Sequence, residues 1–112
     1  MLVMETVSRR LELRMADIFD PSLRKVMEFL VENRGLDYSK EEIAEGADIS
    51  RPTLYRIWNV IEKNELVEET RKYGNAQLYK ANENNEIVRI WMELELAAVR
   101  EQLKRMKNLK KK

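Results

Sequence analysis

Residues 39–63 read SKEEIAEGADISRPTLYRIWNVIEK, and this stretch decides the fold because it contains two helix starts close together. Ser39 and Glu42 have the spacing of a capping box, in which each side chain bonds the other residue's backbone N–H. The spacing predicts a short helix over residues 40–45. Gly46, a common helix terminator, is expected to end it.

The second helix of the stretch begins at Ser50, a favoured N-cap residue, and has Pro52 in its first turn, where a missing N–H costs nothing. Only residues 47–49 separate the two helices. Helices joined by so short a turn must cross steeply, which predicts a helix-turn-helix. Helical spacing over residues 50–63 predicts an inward face of Leu54, Ile57, Trp58 and Ile61 and an outward face of Arg51, Thr53, Tyr55, Arg56, Asn59 and Lys63.

The segments on either side complete a compact domain. Asp20 and Pro21 predict the start of a preceding helix that ends at Asn33-Arg34-Gly35. After the helix-turn-helix, residues 66–71 and 76–81 predict two short strands around a turn that contains Gly74. The sequence therefore predicts a mainly α fold with a small β-hairpin.

The stretch from Tyr38 to Ala81 resembles the winged helix-turn-helix domains of ArsR-like and MarR-like transcription regulators of prokaryotes, archaea in particular. Three segments carry the resemblance: residues 39–44, 49–56 and 61–67. The resemblance implies that helix 50–63 is a recognition helix in the DNA major groove and that the hairpin, residues 66–81, is a wing on the flanking backbone or minor groove. It implies a sequence-specific regulator that binds double-stranded DNA.

The side chains of the outward face suit this role. Arg51 and Arg56 can each present a bidentate fork to guanine or to a phosphate, and Asn59 can pair with adenine. Hydroxyl groups and wing cations suit phosphate oxygens. The predicted DNA contacts are Ser50, Arg51, Thr53, Tyr55, Arg56, Asn59, Arg71 and Lys72. For Tyr55, packing on the wing is an equal alternative.

Two further helices are predicted outside the winged domain, and they suggest a homodimer. Apolar residues recur at helical spacing in residues 1–19 and at nearly heptad spacing in residues 83–112, which leaves residues 20–82 as the DNA-binding domain. The predicted dimer contacts are Met4, Val7, Leu11, Met92, Leu96, Val99 and Leu103. A symmetric dimer implies a roughly palindromic operator. The alternative is that both helices fold back on their own domain.

Composition excludes several classes of function. The 112 residues include no Cys and no His, so thiol or imidazole catalysis, metal sensing through these ligands and most zinc sites are not expected. No catalytic carboxylate pair or phosphate-binding glycine loop is present, and neither an enzyme nor a cofactor is predicted. Without a signal peptide or a long apolar run, the expected location is the cytoplasm, with no membrane partner.

Some alternatives stay open at this stage. The net charge of +1 gives no general case for nucleic acid, although residues 104–112 carry six basic and no acidic side chains. Such a tail can add sequence-independent phosphate affinity or be a solvated terminus. The chain could instead be an architectural DNA-binding protein or a winged-helix module that binds proteins. A repressor that responds only to its own concentration and a regulator with an unknown small-molecule effector both fit the sequence.

Overall fold

The computed structural model of the chain describes residues 13–110. In chain order they form helices α1 (Met15–Ile18), α2 (Pro21–Glu32), α3 (Lys40–Gly46) and α4 (Arg51–Lys63), strands β1 (Val67–Tyr73) and β2 (Ala76–Ala81), and helix α5 (Glu86–Lys110). The strands pair antiparallel. This order confirms a winged helix-turn-helix with the hairpin as its wing. The chain divides after Asn82 into two compact units.

Helix α2 forms as its sequence predicts. The Asp20 carboxylate accepts hydrogen bonds from the backbone N–H groups of Ser22, at 2.8 Å, and Leu23, at 3.3 Å, which satisfies donors that the first helical turn leaves free. The apolar face of α2 is buried at Leu23, Val26, Met27, Leu30 and Val31. It supplies the central layer of the core, on which α3 and α4 pack.

The turn between α3 and α4 differs from the sequence prediction in one respect. The capping box at Ser39 and Glu42 is present, but α3 continues through Gly46. The residue with left-handed backbone is Asp48, at φ 56°, and the N–H of Ile49 donates to the carbonyl of Ala44 at 3.0 Å. Helix α3 therefore ends in a Schellman motif whose left-handed residue is an aspartate rather than the expected glycine.

Gly46 is needed for a different reason, which is the close approach of α2. A Cβ atom at position 46 would overlap the ring of Phe29, whereas nothing lies within 4 Å of the corresponding position at Gly35. The Phe29 ring also contacts the ring of Tyr38, with the ring centres 4.9 Å apart and the planes tilted by 54°. A side chain at position 46 must therefore displace an aromatic pair.

Gly46→Ala is expected to lower the free energy of unfolding by about 1–3 kcal/mol, the usual cost of overpacking. In a Phe29→Ala background the added methyl group has space, so the same change should be neutral or stabilising, because Ala favours helix over Gly by about 1 kcal/mol. Urea denaturation of the four proteins of this cycle measures the coupling. An equal loss in both backgrounds would show that Phe29 is not the cause.

Helix α4 buries the inward face that its spacing predicts. Leu54, Ile57, Trp58 and Ile61 are buried. The indole N–H of Trp58 donates to Glu62 at 2.9 Å, and the ring meets Tyr79 edge-on at 4.8 Å. Trp58 is therefore a core residue, as expected, and its one polar atom is satisfied within the same helix.

The wing is a two-residue hairpin whose turn consists of Gly74 and Asn75. Gly74 has φ 62°, which suits glycine in such a turn. Strand β1 runs to Tyr73, two residues beyond the predicted end, and its register shifts between Glu69 and Lys72. A bridge between Tyr38 and Tyr79, which the sequence analysis did not predict, ties the wing to the segment before α3.

The predicted N-terminal helix over residues 1–19 is wrong as a single unbroken helix. Arg14 is extended, at φ −86° and ψ 157°, and the Asp17 carboxylate accepts its backbone N–H at 3.0 Å. Arg14 is therefore the N-cap of a short helix that begins at Met15 and ends at Ile18. Met4, Val7 and Leu11 lie outside the described residues, so their role in a dimer stays a prediction.

Helix α5 begins where the side chain of Asn85 accepts the N–H groups of Ile87, at 2.8 Å, and Val88, at 3.2 Å. It runs for 25 residues, to Lys110. No helix among residues 13–110 is both long and apolar enough to span a membrane.

Candidate nucleic-acid interface

The outward face of α4 gathers four of the predicted DNA contacts. Arg51, Tyr55, Arg56 and Asn59 are all exposed, although the neighbouring positions 54, 57 and 58 are buried. Residues 51, 55 and 59 are spaced by four, so they lie in one row along the helix. The helix thus presents a polar face with two guanidinium groups, a phenol and an amide.

Ser50 and Thr53 belong to the start of the same helix, where both hydroxyl groups are engaged. Ser50 Oγ accepts the backbone N–H of Thr53 at 3.2 Å and lies 2.8 Å from Thr53 Oγ1. Ser50 is thus the N-cap of α4, and Thr53 is the third residue of the helix. The two residues therefore fix the start of α4, and any phosphate contact would have to share their hydroxyl groups.

Arg71 and Lys72 are exposed on the wing. The guanidinium of Arg71 donates twice to the carboxylate of Asp37, at 3.0 Å from Nε and 3.3 Å from Nη2. The hydroxyl of Thr70 donates to the same carboxylate. These hydrogen bonds, that of Arg71 first, hold the pKa of Asp37 below its usual value. Asp37 thereby fixes the orientation of Arg71.

The two arginines of α4 are also paired with carboxylates. Arg51 Nη2 lies 3.3 Å from Glu41, and Arg56 Nη1 lies 3.5 Å from Asp20. Desolvation raises the pKa of Asp20, but hydrogen bonds from the N–H groups of Ser22 and Leu23 and the charge of Arg56 outweigh it, so the pKa is lowered overall. Each predicted DNA-contacting arginine therefore has an acidic partner.

Lys40 is a further cation at this surface, which the sequence analysis missed. Its Nζ lies 4.9 Å from the ring centre of Trp58, 5.6 Å from that of Tyr55 and 6.0 Å from that of Tyr79. These distances suit cation–π attraction. Lys40 thus links the start of α3 to α4 and to the wing, and Tyr55 has an intramolecular contact although its side chain is exposed.

The carboxylate partners were also missed, because no local pattern reveals them. The contact between Arg56 and Asp20 spans 36 residues, and that between Arg71 and Asp37 spans 34. Helical and strand periodicities report neighbours within a few positions only. The fold alone brings these residues together.

Comparison with known proteins supports the fold. No protein-family model matches the sequence, and no curated protein matches it. A "possible transcriptional regulator" from Methanosarcina mazei Go1 is similar in structure, with a TM-score of 0.50, 14% identity, and 95% of this chain and 87% of that chain covered. Sso10a-2, a DNA-binding protein from Sulfolobus solfataricus, has a TM-score of 0.49, 18% identity and coverage of 75% and 86%. At 14% identity, the similarity to the first of these two structures shows a shared fold only. The ArsR-like or MarR-like subtype stays a prediction.

Proposed function

We propose that this protein is a homodimeric transcription regulator that binds double-stranded DNA in a sequence-specific way. In this proposal α4 lies in the major groove, and the wing, Val67–Ala81, contacts the flanking backbone or minor groove. The observation that carries it is the exposed polar face of α4, the second helix of a helix-turn-helix, which presents Arg51, Arg56 and Asn59 together.

The chemistry of this face favours reading bases over contacting phosphates alone. A guanidinium forms two parallel hydrogen bonds with guanine O6 and N7, and an amide does the same with adenine N6 and N7. Arg51 and Asn59 lie eight residues, or about two helical turns, apart. One helix could therefore contact several successive base pairs.

The apolar side chains of α5 support a dimer. Leu96, Val99, Leu103 and Met106 follow spacings of three, four and three residues, and each is between 47% and 54% exposed in the single chain. Such a seam is typical of a helix that packs against another helix. A second copy of the chain would bury two identical seams and provide two recognition helices for an inverted repeat.

Selection from a pool of random duplex DNA, followed by sequencing, tests the proposal. An enriched inverted repeat is the expected result, with half-sites one helical turn or a multiple of it apart. Salt-sensitive binding without an enriched motif would instead favour the architectural function, to which the basic tail, residues 104–112, would contribute. No binding at any salt concentration would leave a protein-binding winged helix as the better account.

A further inference from the structure

We propose that the carboxylates of Asp20, Asp37 and Glu41 reduce the affinity of the protein for DNA of arbitrary sequence and so increase its specificity. The inference rests on the proposed function and deepens it. We refer to these three residues as the carboxylate set. Its members belong to three separate segments before α4, and each pairs with a different arginine of the candidate interface.

The pairing covers every arginine that is predicted to contact DNA. Arg51 pairs with Glu41 at 3.3 Å, and Arg56 pairs with Asp20 at 3.5 Å. In the wing, Arg71 pairs with Asp37 at 3.0 Å. The guanidinium groups remain accessible, since the arginine side chains are between 60% and 68% exposed. Their positive charge is therefore present at the surface but largely balanced.

Pairing of the arginines with carboxylates is expected to weaken their contacts with phosphates more than their contacts with bases. Affinity for DNA of arbitrary sequence comes from cations that neutralise phosphates and release counterions. An arginine that stays beside a carboxylate neutralises a phosphate poorly, and the carboxylate itself repels the DNA backbone over distances up to the Debye length, about 10 Å at 0.1 M salt. A guanine edge carries no net charge, so the same carboxylate opposes a base contact less than a phosphate contact.

Asp37 is expected to contribute most. It accepts two hydrogen bonds from Arg71 and one from Thr70, and its side chain is 18% exposed, whereas that of Glu41 is 64% exposed. A bidentate, partly shielded pair holds its geometry better than a single exposed contact. The wing arginine, which lies on the flanking DNA backbone or minor groove in the proposed complex, is therefore the one whose charge is most strongly compensated.

The test compares the parent with the triple variant Asp20→Asn, Asp37→Asn, Glu41→Gln. These substitutions remove charge but keep size, and Asn is as good an N-cap as Asp, so α2 keeps its start. The variant should bind random-sequence duplex about tenfold or more tightly at 0.1 M salt, with a steeper dependence on salt. Its affinity for the selected sequence should change less, so the ratio of specific to non-specific affinity should fall.

The matched control is Glu28→Gln, which breaks the pair between Arg24 and Glu28, 2.9 Å apart on α2, and involves no predicted DNA contact. It should leave both affinities nearly unchanged. If circular dichroism shows that the triple variant folds poorly, the single variant Asp37→Asn provides the same test. It is expected to bind random duplex at least about threefold more tightly than the parent.

This inference would be overturned if a folded variant bound random duplex no more tightly than the parent, while the parent binds its selected sequence. The proposed function would then remain intact. The carboxylates would then orient the arginines without limiting phosphate binding. Failure of both parent and variant to bind any DNA would instead contradict the proposed function and this inference together.

Discussion

Replacing both Arg51 and Arg56 with alanine is expected to weaken binding to the selected DNA sequence by roughly 30-fold to 20,000-fold. Each bidentate contact with a guanine contributes about 1–3 kcal/mol of discrimination, and about 1.4 kcal/mol corresponds to a factor of ten. Both side chains are exposed on α4 and their ion pairs are at the surface, so the fold should be retained. Fluorescence anisotropy titrations at a fixed salt concentration measure the loss.

Two control variants separate the sources of this loss. Arg24→Ala with Arg34→Ala removes the same charge at exposed positions outside α4, and it should weaken binding only slightly. Lysine at positions 51 and 56 keeps the charge but lacks the planar fork, so affinity for random duplex should persist while preference for the selected sequence falls. Unchanged binding by the double alanine variant would contradict the assignment of α4 as the recognition helix.

The parts of the fold that sequence predicts well are those that short-range chemistry determines. The caps at Ser39 and Ser50 depend on residues three positions away, and they place the starts of α3 and α4 correctly. The buried face of α4 follows from a period of 3.6 residues. Because the turn between the helices is short, these local rules also fix the order of elements that defines the winged helix-turn-helix.

The parts that sequence does not predict depend on contacts between distant segments. Gly46 is required by the ring of Phe29 from another helix, and the bridge between Tyr38 and Tyr79 joins residues about forty positions apart. The prediction of one helix over residues 1–19 is wrong at Arg14 for a local reason, because the Asp17 carboxylate accepts the Arg14 N–H and caps a helix that begins only at Met15.

The charges of the candidate interface also divide into those that local sequence predicts and those that only the fold brings together. The helical period predicts that the arginines of α4 lie on its outward face, and both are exposed in the structure. The sequence does not reveal the acidic partners of Arg56 and Arg71. These partners, Asp20 and Asp37, are distant in sequence and belong to segments with different local roles. A surface that looks basic by sequence is therefore closer to neutral in the folded protein, and under the proposed function its affinity for DNA would depend more on geometry than on net charge.

The α5 seam provides the second large expected effect. Leu96→Glu with Leu103→Glu is expected to raise the dissociation constant of the dimer by at least about 1000-fold. Because each leucine is about half exposed in the single chain, its burial in a dimer contributes about 0.8–1.5 kcal/mol. A dimer buries four of them, which amounts to roughly 3–6 kcal/mol, and the new carboxylates would add a desolvation cost and repel one another. Sedimentation equilibrium should give the single-chain mass, 13.4 kDa, for the variant and twice that mass for the parent.

The matched control is Leu94→Glu, because Leu94 lies on the same helix and is 65% exposed but points away from the seam, about 200° around the helix from Leu96. This control should remain dimeric. Since Leu96 and Leu103 are already about half exposed in the single chain, at 49% and 54%, the double variant should keep its helical circular dichroism and bind a half-site weakly.

A parent protein with the single-chain mass at micromolar concentration would contradict the dimer. A folded double variant that still binds the inverted repeat as tightly as the parent would show that the α5 seam is not what pairs the two recognition helices.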